Sequence, residues 1–286
     1  MARTTARASK ENVRSVGYSI YYTLVNVGST AGPLLASWAQ NHGIVENVFR
    51  IAALSVFLML FVVLLLFKEP RRADEGDKAS LAQVGKNFLT VLSNPRFMLF
   101  LLIFTGYWIV FWQEFIALPL YIRAYIDPHA DTARILATDP IVVICFTMVI
   151  GFLTKRMQAF HAVVLGTLIT SLGFVLLIVH PSVWMAVAAL VVVAVGEIIQ
   201  QPRYYDYISR LAPPGQQGTY MGFAFLPLGI GSFIAGPFSG WLMHHFGEEL
   251  HRPQMVWWSV TAVGVATTLL LWIYDRLVRV DKNVTA

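Results

Sequence analysis

The chain has 286 residues, 57% of them hydrophobic and only 13% charged, against about 25% charged in a soluble domain. Its formal charge of +5 is spread between apolar runs rather than gathered on one face, which argues against a nucleic-acid partner. The single cysteine, Cys145, excludes an internal disulfide and, set in an apolar run, reads as a small packing residue.

Apolar runs of about 20 residues recur along the whole length, the mark of a polytopic α-helical membrane protein. The candidate spans are 16–39, 48–67, 97–122, 140–158, 161–180, 183–205, 218–243 and 255–275. With the first residues on the cytoplasmic side, every Lys and Arg except Arg50, Arg123, Arg134 and Arg252 falls on that side. This asymmetry is what the positive-inside rule expects, and one span more or fewer would scramble it. Both termini are therefore expected in the cytoplasm, and the membrane is expected to be a bacterial inner membrane. Met1 to Arg14 is basic and rich in Ser and Thr, but it has neither a signal-peptide pattern nor the apolar face of a transit peptide.

In the first span Tyr18, Tyr21, Tyr22 and Asn26 stand out. Tyr22 and Asn26 are four apart and share a helix face. They suit hydrogen bonding to a peptide-like backbone, although an interfacial aromatic belt and an inter-helix hydrogen bond account for them equally. The long charged break at 68–96 opens Lys68-Glu69-Pro70-Arg71-Arg72. It continues as a possible amphipathic helix with Leu81, Val84, Phe88, Leu89 and Leu92 on one face. It either lies on the membrane surface or is a solvated linker.

The third span carries Gln113 and Glu114 among Tyr107, Trp108 and Trp112. Glu114 is either a cavity residue or an acid near the outer mouth, one turn before Pro119. Asp139 precedes Pro140 at the start of the fourth span. Its plainer role is a helix N-cap with proline in the first turn, and a cap at a cavity mouth would also touch a ligand.

The run Trp184 to Val195 leads into Glu197. An ionised carboxylate in a bilayer core costs roughly 2.5–3.5 kcal/mol on insertion scales, so such residues usually face a wet cavity. Gln201 lies one turn on and Tyr204 or Tyr205 another, a polar stripe on one face. Pro202 is expected to kink or end this helix. Glu197 is a proton-titrating or amine-binding carboxylate, or else a structural acid bonded to a neighbouring helix. A turn follows at Ala212-Pro213-Pro214-Gly215, then a glycine-rich helix whose Gly236 and Gly240 form a GxxxG pair, expected to let helix backbones approach. His244, His245 and His251 read as a wet outer loop rather than a metal site. The sequence has no phosphate-binding glycine loop, nucleophile elbow or CxxC, so no enzyme is expected.

Several of these segments, in order, resemble the proton-dependent oligopeptide transporter family within the major facilitator superfamily. Tyr18 through Ser29, with Pro33 following, is similar to that family's fifth helix, whose tyrosine and asparagine match Tyr22 and Asn26. Trp108 through Gln113 is similar to the seventh helix, except that the family places a glutamate directly before the glutamine. Here Trp112 holds that place and Glu114 follows Gln113. Asp139-Pro140 stands where the eighth helix often has Asn-Pro. Gly196-Glu197 through Pro202, with Leu211-Ala212-Pro213 and Met221-Gly222, is similar to the tenth and eleventh helices. Glu197 there matches an amine-facing glutamate, and Gln201 replaces a common serine.

The resemblance implies a major-facilitator-type bundle of about eight transmembrane helices, without the family's first four and their ExxER motif. Residues 1–67 would be the last two helices of the N-terminal bundle, 68–96 a cytoplasmic central loop and 97–286 the C-terminal six-helix bundle. The function implied is secondary active transport by alternating access around a midplane site. The cargo would be a small polar solute, with a di- or tripeptide foremost, moved with protons. Tyr22, Asn26, Trp108, Gln113, Asp139, Glu197 and Gln201 would bind substrate, and Glu197 and Glu114 would couple protons. No cofactor beyond the proton gradient and no metal is implied. The partners implied are the lipid bilayer and the missing helices or a complementary chain, so the 286-residue chain is not expected to transport alone. The alternatives are a transporter of another polar metabolite and a non-transporting membrane subunit.

Overall fold

The structure, a computed structural model, describes residues 14–42, 45–66, 81–213 and 216–278. Every regular element among them is helical, and seven helices are long and apolar enough to cross a membrane. The chain divides into two compact units, Met1–Lys78 and Ala79–Ala286, with the division inside the charged 68–96 segment.

In the first unit, α1 (Arg14–Asn41) packs on α2 (Val45–Leu66). The first expected span is thus a helix, but it is not among the seven apolar ones, because Tyr, Asn, Ser, Thr and Gly interrupt it. Its hydroxyls turn back onto the helix: Ser29 Oγ donates to the Val25 carbonyl at 3.1 Å and Thr30 Oγ1 to that of Asn26 at 2.9 Å. Such bonds keep polar side chains satisfied where water is scarce. By contrast, α2 is apolar and exposed along Ile51 to Leu65, the surface expected of a lipid-facing helix.

The second unit begins with α3 (Leu81–Leu92) and α4 (Pro95–Phe111). Asn94 caps α4 by accepting from the Phe97 N–H at 3.1 Å, with Pro95 in the first position. The third span does not run unbroken. After α4 come a 3₁₀ turn (Trp112–Glu114), the short α5 (Ala117–Tyr121) and a π turn (Ile122–Ile126). Pro119 lacks the N–H that the Phe115 carbonyl would receive. Instead, the amides of Phe115 and Ile116 both return to the Trp112 carbonyl, at 3.2 and 3.1 Å.

The short α6 (Thr132–Leu136) is capped by Asp131, and α7 (Thr138–Leu153) follows. Next come α8 (Ala159–Gly173), α9 (Val175–Val179) and α10 (Val183–Leu211), the last capped by Ser182. α10 continues through Pro202, so of the two outcomes expected, a kink or an end, the proline does not end the helix. The next span is also divided, into α11 (Gln217–Phe223) and α12 (Leu226–Leu242), and ends in a π turn (Met243–Glu249) before α13 (Gln254–Val278). The expected turn residues Pro214 and Gly215 lie outside the described residues.

α10 packs chiefly on α8 and α7, α4 packs on α12 and α13, and α13 also meets α8. Aromatic rings fill one end of this unit: Phe100 and Phe160 meet Tyr207 and Tyr274, and Phe104 stacks on Tyr204 at 4.2 Å. At the other end Trp257 stacks on Phe174 at 5.1 Å and meets Tyr121 edge-on.

The close helix approaches are not where the GxxxG pair predicted them. A Cβ added at Gly236 or Gly240 would meet nothing within 4 Å. At Gly196 it would lie 2.7 Å from the Gly166 carbonyl oxygen, and at Gly166 it would lie 2.5 Å from that of Gly196. Gly231 sits likewise against Trp108. The GxxxG spacing puts two glycines on one face without saying what that face meets. Cys145 is exposed on α7, not a packing residue, because the apolar run around it turns that face outward.

Candidate functional site

Three acids come together inside the second unit, each from a different span. Glu114 closes the 3₁₀ turn after α4, Asp139 lies in the first turn of α7, and Glu197 sits mid-way along α10. Glu114 is wholly buried, Asp139 is 5% exposed and Glu197 9% exposed. Glu114 lies within electrostatic reach of both Asp139 and Glu197, and Glu197 within reach of Asp139. Among the described residues no Lys, Arg or His forms an ion pair with any of the three.

The local backbone explains how each acid is held. Gly196 lets α10 lie against Gly166 of α8, which seats the next residue, Glu197, inside the bundle. Glu114 lies buried in the 3₁₀ turn between α4 and α5. Asp139 does not cap its helix as expected. Ala137 holds the cap position, without a side-chain hydrogen bond, because the helix starts earlier, at Thr138. Asp139 is left in the first turn with Oδ1 unpartnered.

Hydrogen bonding around the acids is sparse. Gln201 Nε2 donates to Glu197 Oε1 at 3.4 Å, so the expected i, i+4 pair forms. Both oxygens of Glu114 are buried without a partner. A buried carboxylate with neither hydrogen bond nor counter-charge is costly. Three buried acids in one place, with no counter-charge among the described residues and, at Glu114, no hydrogen bond, call for positive charge, as protons or as a cationic group of a bound solute.

The remaining expected residues divide. Gln113 is buried, its Nε2 donating to the carbonyls of Ile109 at 2.9 Å and Ala235 at 3.4 Å and its Oε1 unpartnered. Trp108 is buried, with Cβ against Gly231 and its indole N–H unpartnered. Tyr204 leaves the expected polar stripe and donates to the Ala224 carbonyl at 2.8 Å, across the break between α11 and α12. His244 and His245 contact Glu248 and Glu249, each at 2.7 Å, in an exposed turn. Tyr22 and Asn26 belong to the first unit. Asn26 is buried there, and the side chain of Tyr22 lies outside the described residues.

Sequence reasoning missed Gln200, which is 1% exposed with an unpartnered Oε1. The i, i+4 step from Glu197 led to Gln201, while Gln200 lies on the face toward α8, beside Gly166.

Comparison with known proteins places these features in context. The Major Facilitator Superfamily matches residues 1–226 and, a second time, 129–285. Multidrug resistance protein MdtH of Cronobacter sakazakii is 23% identical over 256 residues, 89% of this chain and 62% of that protein. The MdtH of Klebsiella pneumoniae subsp. pneumoniae is 24% identical over the same shares. The chain thus spans about 62% of the length of these relatives. Among solved structures, a POT family transporter in complex with 5-aminolevulinic acid superposes with TM-score 0.78 at 16% identity, covering 100% of this chain and 73% of that one. A peptide transporter POT in complex with sulfate gives TM-score 0.75 at 16% identity, covering 97% and 70%. At these identities the structures establish likeness of fold. The matched family and its neighbours are membrane transporters rather than enzymes.

Proposed function

The chain belongs to the Major Facilitator Superfamily, and we propose that it carries the acid-bearing bundle of a proton-coupled secondary transporter for a small, amine-bearing polar solute. Seven long apolar helices among the described residues make it an integral membrane protein. A bacterial inner membrane, with both termini cytoplasmic and the proton gradient as the only energy source, completes the proposal.

One observation carries it: Glu114 is wholly buried with both oxygens unpartnered, beside Asp139 and Glu197, and among the described residues no cation is paired with them. Such a site accepts positive charge in two interchangeable forms. Protons neutralise it when empty, and an ammonium group replaces them when cargo binds, with Gln201 helping to orient Glu197. Exchange of one for the other couples the solute to protons moving in the opposite direction, an antiport, where the resemblance to the peptide family implied that cargo and protons move together. A short peptide, with its amino terminus, is the first substrate class to try, in keeping with the peptide-transporter fold of the solved neighbours.

The test uses the purified chain, reading tryptophan fluorescence as a dipeptide is added. The intact protein is expected to bind, and Glu197→Gln and Glu114→Gln to bind about tenfold or more weakly, as for loss of a charge-assisted hydrogen bond. An amine-blocked dipeptide that binds as well as the free one would overturn the amine reading. Binding without proton exchange, followed by a pH dye in weak buffer, would overturn the coupling. A second reading, an apolar organic cation, is favoured by the aromatic residues Trp108 and Phe111 and by the names of the curated relatives. Tetraphenylphosphonium binding more tightly than the dipeptide in the same titration would select it.

A further inference from the structure

Where α3 turns into α4, the second unit has an open cleft of about 670 Å³. Lys86, Thr90, Ser93, Asn94, Arg96 and Tyr220 line it, with the apolar side chain of Leu89 at its edge. Neither Lys86 nor Arg96 has an ion-pair partner among the described residues. Tyr220 forms the floor, and its ring packs on Phe97 at 4.6 Å. Its hydroxyl accepts from Asn94 Nδ2 at 3.0 Å, which leaves the phenolic proton to be donated elsewhere. The cleft therefore offers two cations and two hydroxyl donors, from Ser93 and Tyr220, and no carboxylate.

Its surroundings are apolar and exposed. Phe88, Leu89 and Leu92 of α3 are 51%, 63% and 42% exposed, and Leu99, one turn into α4, is 45% exposed. Of the expected amphipathic face, Leu81 and Val84 have side chains outside the described residues. Phe88 is the one member in ring contact with the bundle, at Phe223, and Val91 is the α3 residue buried. Among the described residues, none buries the rest of that face.

The cleft also lies at the cation-rich end of the bundle. Tyr274 donates to the Arg96 carbonyl at 3.1 Å, and Arg203 to that of Thr154 at 3.1 Å, which sets Arg96, Lys155, Arg156, Arg203 and Arg276 at one end. This is the end at which the positive-inside rule places anionic lipid.

We propose that this cleft binds the phosphate-bearing headgroup of an anionic phospholipid, with Lys86 and Arg96 on the phosphate, Tyr220 donating to it, and the acyl chains along Leu89, Leu92 and Leu99. Charge complementarity selects the headgroup, and the exposed leucines select a lipid over a free anion. The site lies within the second unit, is separate from the three acids, and does not depend on what the protein carries.

The test is binding of spin-labelled phosphatidylglycerol and phosphatidylcholine to the purified full chain in detergent. Phosphatidylglycerol is expected to bind preferentially. Lys86→Gln with Arg96→Gln should reduce that preference, roughly fivefold for each cation removed, while Lys155→Gln, at the same end but outside the cleft, leaves it unchanged. Lys86→Gln alone changes an exposed side chain and keeps the test valid if the double variant fails to fold. Three results would overturn the proposal: equal binding of the two lipids, an equal loss in the Lys155 variant, or displacement of the lipid by inorganic phosphate at comparable affinity. The last would identify a free-phosphate site instead.

Discussion

Substituting Gly196 by alanine is the sharpest trial of the packing that seats Glu197. The new methyl carbon would lie 2.4 Å from Thr170 Oγ1, 2.7 Å from the Gly166 carbonyl oxygen and 2.7 Å from the Thr170 amide nitrogen. The hydroxyl can rotate away, but the other two atoms are backbone, so α8 must retreat as a body. Moving the Gly166 oxygen from 2.7 Å to the 3.4 Å of ordinary contact requires a shift of about 0.7 Å. Overpacking of this kind costs about 1–3 kcal/mol, and two backbone collisions put it at the upper end. Alanine's helix propensity returns about 0.5–1 kcal/mol, leaving a net loss of about 2 kcal/mol. For a chain of this size that corresponds to a fall of about 4–8 °C in Tm, read by thermal unfolding in detergent. Gly236→Ala is the matched control. It meets nothing within 4 Å and should leave Tm unchanged or slightly raised. If the two variants melt together, the close approach of α8 and α10 at Gly196 is wrong, and so is the placement of Glu197 that follows from it.

Glu114→Gln should raise Tm while weakening solute binding, because a permanently neutral amide spares the empty site the protonation that a buried, unpartnered carboxyl beside two other acids requires; the gain is about 1 kcal/mol or more. A variant less stable than the parent would mean that Glu114 has a partner holding it. Gly106→Ala should destabilise because its methyl would lie 2.0 Å from Thr267 Oγ1, and Thr267→Ala should suppress that loss. A double-mutant cycle with no coupling would contradict the contact between α4 and α13.

The order of the spans was legible because apolar runs of bilayer length are an unambiguous signal. The acids were legible because a carboxylate in such a run stands out against its neighbours, and Glu114, Asp139 and Glu197 all proved buried. What the sequence hid were features that depend on a neighbour. The break at Trp112–Glu114 comes from Pro119, which acts on a carbonyl four residues earlier and leaves no mark in an apolar pattern. Gly196 and Gly166 matter because they meet each other, while Gly236 and Gly240, better placed in sequence, meet nothing. Asp139 looked like a cap because Asp-Pro so often is one. Only the start of α7 at Thr138 shows otherwise.

The amide of Gln113 ties together two things that a continuous helix would have kept apart. One NH₂ group reaches a carbonyl on its own helix, Ile109, and another on α12, Ala235. Any tilt of α12 therefore pulls on the residue immediately preceding Glu114. Movement of the glycine-rich helix is in this way transmitted, by a latch one side chain long, to the acid that has the least to hold it in place.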